Sequence, residues 1–240
     1  MPTFAELEIP FPLFDAEVEG TDYAGVGTCS LCSSSKRHLF DLGIGCALMV
    51  TCQKCATPKG LDAYDQKNGR CSDCGNDIPF PNISHNEIRC CYECLRSGHA
   101  SITSDTELGM ISWEQSLTGV THGVPGLNNS DFEMVSTDSE WVGARLDLSH
   151  VNEILRTPNF STWQGERWLF CCKQPMVYIG SWEHDDFDTH APNGDGRSFF
   201  LDVVDDAQPE MWNTNYGDCA SCYAFRCNGC NHFRVNWDMG

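Results

Sequence analysis

Six C-x-x-C pairs, a glycine-rich middle stretch, and short apolar runs in the second half together predict an α+β protein. The pairs are Cys29/Cys32, Cys52/Cys55, Cys71/Cys74, Cys91/Cys94, Cys219/Cys222 and Cys227/Cys230. Each C-x-x-C turn sets two thiolates on one side of a tight knuckle, which is half of a tetrahedral zinc site. The expected architecture is therefore an N-terminal treble-clef/zinc-ribbon module followed by a C-terminal α+β unit with a further zinc knuckle. At 240 residues the chain can also bury a core of its own, so metal need not supply all the stability.

Residues 1–28 read as an extended arm, because Pro2, Pro10 and Pro12 limit helix there. Phe4, Ile9, Phe11, Leu13 and Phe14 are too apolar for a free tail, so the arm is expected to lie against the body.

Residues 29–100 form the double zinc-binding module. The inner pairs, CQKC (52–55) and CSDCG (71–75), are separated by 15 residues. That C-x2-C-x15-C-x2-C spacing matches a zinc ribbon, here inserted over 52–75. Gly75 follows the second knuckle, where positive φ is useful. The outer pairs, Cys29/Cys32 and Cys91/Cys94, flank the ribbon and close a second site. In a treble clef the second pair sits at the start of a helix, and Glu93, Leu95 and Arg96 suit a first helical turn. Cys46 and Cys90 are left over and read as buried thiols.

Residues 101–240 form the α+β domain. Its opening is loop-rich, with Gly98, Gly109, Gly119, Gly123 and Gly126 along 97–130. Ser149 suits the N-cap of a helix over 150–156, stopped by Pro158. Residues 162–172 suit a second helix weakened by Gly165. Residues 176–179, 199–204 and 223–227 read as strands, the last leading into the final knuckle. A cluster of Cys219, Cys222, Cys227 and Cys230 could close on itself. However, a four-residue strand spacer at about 3.3 Å per residue holds those knuckles apart. The favoured third site is Cys171, Cys172, Cys227 and Cys230. The expected cofactor is two to three structural zinc ions.

Charge is unevenly spread. The net charge is −19, yet residues 29–96 hold eight basic side chains against seven acidic ones. Acid concentrates in 1–22 and in 183–210, where only Arg197 is basic. Such a field repels nucleic acid and steers basic proteins inward. The longest apolar run, 43–50, is too short for a membrane span, and the N-terminus lacks the basic start and apolar stretch of a signal peptide. A cytoplasmic location follows, in which paired thiols are metal ligands rather than disulfides.

The segment RTPNFSTWQGERWLFCCKQPMVYIG (156–180) resembles the CbrC family of bacterial proteins. YAFRCNGC (223–230) resembles that family's C-terminal strand and knuckle, and CSLC with CYECLRSGHA its N-terminal pair. The resemblance implies a His-Cys dipeptide where this chain has Cys171-Cys172, giving a His-Cys plus C-x-x-C site, which supports Cys171 and Cys172 as ligands. It gives Cys219 and Cys222 no counterpart. The ribbon at 52–75 looks like an insertion relative to shorter members. The function implied is tolerance to a DNase-type colicin.

Catalytic candidates are few. WEHDDFDTH (182–190) gathers His184, Asp186 and His190, which could hold a catalytic metal for hydrolysis. His184 and His190 are six apart, which suits no helix face, so the segment reads as a solvated acidic loop. His122 in GVTHGVPG (119–126) stands alone in a glycine loop. No nucleophile elbow, P-loop or dinucleotide fingerprint is present. A thioredoxin-like role for one C-x-x-C pair needs a βαβ context, which is missing. The seven tryptophans read as core rather than stacking platforms. The sequence thus reads as a multi-zinc protein that binds a basic protein partner, with no membrane and no nucleic acid. The alternatives are a metal-dependent hydrolase or a zinc-ribbon adaptor.

Overall fold

The computed structural model describes residues 1–83, 87–214, 216 and 220–240. Cys219 lies outside the described residues. The fold is mixed α+β, with several small antiparallel sheets and few helices. Its contacts divide the chain into two compact units. One, the cysteine-rich unit, comprises residues 19–104 and 108–159. The other, the sheet unit, comprises 1–18, 105–107 and 160–240. The arm read as 1–28 is shared between them. No helix among the described residues is long and apolar enough to cross a membrane.

In the cysteine-rich unit, β1 (Tyr23–Gly27), β2 (Arg37–Asp41), β3 (Ala47–Thr51), β4 (Pro58–Asp62), β5 (Gly69–Arg70), β6 (Asp77–Ile78) and β7 (Arg89–Cys91) lead into α1 (Tyr92–Arg96). They are followed by β8 (Ala100–Ser101), α2 (Gln115–Thr118), β9 (Val124–Pro125), β10 (Glu133–Ser136), β11 (Trp141–Arg145) and α3 (Leu148–Ile154). The sheets run β1-β2-β7, β4-β3-β8, β5-β6 and β10-β11-β9. Helix α3 starts two residues before the expected 150–156. Its N-cap is Asp147, whose carboxylate accepts from the Ser149 N–H, so Ser149 lies inside the first turn. Arg96 ties α1 to α3 through two bonds to Glu153, at 2.6 and 2.9 Å. The glycine stretch is not floppy. Gly109 packs so closely on Gly123 that a Cβ there would lie 2.5 Å from the Gly123 nitrogen.

In the sheet unit the elements are β12 (Phe170–Cys171), β13 (Gln174–Pro175), β14 (Val177–Trp182), α4 (His184–His190), α5 (Gly196–Val203), β15 (Ala220–Arg226) and β16 (Phe233–Met239). The main sheet is antiparallel, β14-β15-β16. Its central strand β15 is buried on both faces, as period-2 alternation allows. Ala220, Cys222 and Ala224 face a cluster with Trp182, Phe187, Phe200, Val203 and Val235. Tyr223 and Phe225 contact Phe160, and Phe160 stacks on Tyr178 with centroids 4.1 Å apart. The arm covers Tyr178: Phe14 meets its ring at 5.0 Å, and Phe4 meets Phe11 and Phe14 edge-on. All five apolar arm residues are buried, and Tyr178 N–H donates to the Leu13 carbonyl.

Three expectations change here. Residues 162–172 are not helical: the Trp163 and Gln164 amides are taken by the Asp238 carboxylate, both at 3.0 Å, and Gly165 sits at φ 106°. Residues 199–203 fall in α5 rather than a strand, with Val204 as its extended C-cap. Asp195 caps that helix by accepting from Ser198 N–H, and Phe200 and Val203 turn to the core at helical spacing. A short apolar run cannot by itself separate the two outcomes. Residues 184–190 form a helix instead of a loop. Glu183 and Asp186 make a reciprocal capping box, which satisfies donors at the helix start, and Phe187 anchors the helix inward.

Candidate metal centres

Four of the C-x-x-C knuckles share one backbone form. In each, the N–H four residues after the first cysteine donates to that cysteine's carbonyl. The first cysteine's own N–H donates to the carbonyl one residue further on. The pairs are Ser33→Cys29 and Cys29→Ser34, Ala56→Cys52 and Cys52→Thr57, Gly75→Cys71 and Cys71→Asn76, and Asn231→Cys227 and Cys227→His232, all at 2.8–3.0 Å. Closing that turn needs a left-handed residue. Ser33, Ala56, Gly75 and Asn231 have φ of 58°, 57°, 68° and 59°. Only one of the four is glycine, so three accept a conformation that L-residues usually avoid.

The fifth described pair is built differently. Cys91 precedes α1 and Cys94 lies in its first turn, so the helix start holds both thiols beside the first knuckle. The Cys91 N–H also points at the Cys29 sulfur, at 3.3 Å. The third cluster uses neither device for its first half. Cys171 ends β12, and Cys172 with Lys173 forms the two-residue turn into β13, both at positive φ (53° and 62°). A hairpin turn with two left-handed centres swings the Cys172 thiol back toward Cys171. Adjacent cysteines therefore reach one site.

The outcome is three groups of four sulfurs: Cys29, Cys32, Cys91 and Cys94 (site 1); Cys52, Cys55, Cys71 and Cys74 (site 2); and Cys171, Cys172, Cys227 and Cys230 (site 3). In each, all four sulfurs lie within 4.8 Å of one another. Facing sulfurs are 3.8 Å apart in site 1, 3.7 and 3.5 Å in site 2, and 3.8 and 3.6 Å in site 3. A tetrahedral ion with bonds of about 2.3 Å requires sulfur–sulfur edges of about 3.8 Å. The donor sets therefore fit a tetrathiolate metal ion, and each site could hold one.

The surroundings prepare the thiolates unequally. Hydrogen bonds from the Ser34 hydroxyl and backbone pull the Cys32 thiol down to about 6. Thr57, 2.9 Å from the Cys55 sulfur, brings that thiol to about 6 as well. Burial pushes Cys91 up to about 12. Beside site 2, buried Lys59 donates to Ser72 Oγ at 3.1 Å and pairs with Asp73 at 2.9 Å. A divalent ion with four thiolates carries a net −2, and this ammonium offsets part of it. Ser34, Thr57 and Lys59 were not singled out from the sequence. A readable signal exists for the first two: a hydroxyl residue two positions after the second cysteine of a knuckle.

The other singled-out residues do not converge. Cys222 is fully buried in the apolar face of β15, and burial pushes its thiol up to about 12. Cys46 and Cys90 are buried and lie outside the three clusters. His184 bonds the Trp212 carbonyl at 2.6 Å. His190 stacks on Trp182 at 4.5 Å and bonds the Asp186 carbonyl at 2.9 Å. Among the described residues, no ligand cluster contains His184, Asp186 or His190. His122 is held through its backbone: its N–H donates to the Met110 carbonyl, and its carbonyl accepts from the Thr137 hydroxyl. Its ring meets Trp141 at 5.6 Å in an open cleft of about 540 Å³.

No curated protein and no solved structure matches the chain. One family profile does, over residues 58–239. That span takes in Cys71, Cys74, Cys91, Cys94 and all of site 3, and leaves Cys29, Cys32, Cys52 and Cys55 before it. The match covers more than half of the chain, and the protein belongs to UPF0167, an uncharacterised protein family.

Proposed function

We propose that this is a cytoplasmic zinc protein of CbrC type that works by binding a basic protein partner. The four-thiolate sets support zinc as the ion, since soft thiolates in tetrahedral spacing suit it. Four protein ligands leave no open position for substrate, which favours a structural role and the treble-clef and ribbon descriptions of sites 1 and 2.

The observation that carries the binding function is the acidic surface over residues 183–210. Glu183, Asp185, Asp188, Asp195, Asp202, Asp206 and Glu210 are all exposed there, and Arg197 is the basic residue among them. Helices α4 and α5 hold Asp185, Asp188 and Asp202 on rigid backbone while Phe187 and Phe200 face the core. Exposed like charges raise the local concentration of a cationic partner and its association rate. DNase-type toxins are cationic because they bind DNA, and the CbrC resemblance implies tolerance to one.

The test is the association rate with the nuclease domain of a DNase-type colicin, measured by stopped flow at low and high salt. Reversing Glu183, Asp185, Asp188, Asp202 and Asp206 to lysine is expected to slow association at least about tenfold at low salt. High salt is expected to erase the difference. An unchanged rate in the reversed variant refutes the proposal.

A further inference from the structure

Site 3 differs from sites 1 and 2 in ways that bear on how it holds an ion. The first difference is exposure. Site 1 buries three of its cysteines, with Cys32 exposed; site 2 buries Cys52 and Cys71 and half-buries the others. Site 3 buries Cys227 alone, half-buries Cys171 and exposes Cys172 and Cys230.

The second difference is the outer ring of donors. In site 2, Cys55 takes Thr57 and Cys52 takes the backbone amides of Lys54 and Cys55. In site 1, Cys29 takes the Cys91 amide and Cys32 takes Ser34. In site 3, Cys227 takes the Gly229 amide at 3.3 Å, the Cys230 amide and the Gln174 side chain at 3.9 Å, as full a set as that of Cys52. The other three thiols differ: among the described residues, the sulfur hydrogen bonds of Cys171, Cys172 and Cys230 run to one another and to Cys227. Outer-ring hydrogen bonds orient thiolate ligands and stabilise their charge, so a site lacking them holds its ion less tightly.

The third difference is the backbone. Two consecutive non-glycine residues, Cys172 and Lys173, are held at positive φ. That strain is retained only while the surroundings enforce it.

We propose that site 3 is an exchange site, a solvent-open tetrathiolate that takes up and gives up soft divalent ions while sites 1 and 2 keep theirs. An incoming ion meets the Cys172 and Cys230 sulfurs first, because these face solvent. The resident ion then leaves as Cys171 and Cys227 transfer to the newcomer, so four sulfur–metal bonds form as four break. The inference rests on reading the three clusters as metal centres.

The experiment uses the full-length protein purified with zinc and then mixed with excess Cd²⁺, followed by native mass spectrometry over time. One ion is expected to exchange at least about tenfold faster than the other two, the low end of what outer-ring partners contribute to metal affinity. In Cys172→Ser the fast phase should vanish while two slowly exchanging ions remain. On the unmutated chain, treated with chelator, iodoacetamide should label Cys172 and Cys230 before Cys52 and Cys71. Three ions exchanging at one rate overturn the inference alone, as does a fast phase that survives Cys172→Ser. A protein that binds no ion at all overturns the metal reading itself, and the inference with it.

Discussion

Replacing Cys71 with serine should unfold the end of the ribbon and leave the sheet unit intact. The buried cluster of the ribbon contains Cys52, Leu61, Cys71 and Ile78, with Val50 and Phe80 partly covered. Without the ligands, the fully buried apolar side chains are Leu61 and Ile78. Burying both is worth about 3–6 kcal/mol together. A tetrathiolate zinc in a small domain contributes about 10–16 kcal/mol. An ion held there would therefore outweigh the apolar contribution about threefold, and losing one ligand would remove most of what orders the knuckles. The base of the ribbon has other support. Leu48 of β3 pairs with Ala100 of β8, and Gly60 lies against the Trp113 ring, 2.5 Å from where a Cβ would be. Hydrogen exchange followed by mass spectrometry should thus show protection lost over 51–57 and 66–80. It should be retained over 47–49 and unchanged in β14, β15 and β16. The reasoning is refuted if residues 66–80 keep their protection in Cys71→Ser, or if the sheet unit loses protection with them.

Two other outcomes follow from single groups. Gly75 sits at φ 68° with nothing within 4 Å of where a Cβ would be. Gly75→Ala should therefore cost about 1–2 kcal/mol from the backbone alone, read as a lower unfolding midpoint in denaturant; an unchanged midpoint would show that the turn is not enforced. Burial raises the Asp22 carboxyl to about 6, against a lowering bond from the Asn159 amide and a further raise from Asp41. Its folded-state value lies above the unfolded one, so its contribution is favourable below about pH 4 and is lost as pH rises through about 6. Asp22→Asn should therefore raise the melting temperature at pH 7, by an amount on the order of 2 kcal/mol in stability, and leave it unchanged near pH 4; a gain equal at both values refutes the assignment.

The sequence made the individual knuckles legible because C-x-x-C spacing is a local property. A C-x-x-C turn forms its knuckle from bonds within six residues, as the matching Cys52–Thr57 and Cys71–Asn76 geometries show. The arm was readable for a similar reason, since five apolar side chains in fourteen residues must find cover. The helix–strand choice at 199–204 was not readable, because Phe199 to Val204 are apolar enough for either period and the deciding cap, Asp195, lies outside the run. The helix at 184–190 is signalled by the Glu183–Asp186 capping pair and not by the spacing of its histidines. At 162–172 the deciding partner was Asp238, more than seventy residues away. Contacts of that separation leave no periodic trace.

The two units solve the problem of order by different means, and the difference explains why their cysteine clusters are unlike. Over residues 50–80, cysteines and core are nearly the same residues, with Cys52 and Cys71 buried beside Leu61 and Ile78. In the sheet unit, Phe160, Trp168, Tyr178, Tyr223 and Phe225 fill one face of the sheet, and Trp182, Phe187 and Phe200 fill the other. Arg234 adds polar closure there by bonding Asp205 at 2.8 Å, Glu107 at 3.0 Å and the Phe170 carbonyl at 2.9 Å. That last bond fixes β12, the strand carrying Cys171, without any help from a metal ion. An ion in site 3 would therefore be dispensable to the sheet, whereas an ion in site 2 would be needed to order residues 51–57 and 66–80. Exposure of Cys172 and Cys230 would be tolerable where the fold does not depend on an ion, and burial of Cys52 and Cys71 suits a site where it would.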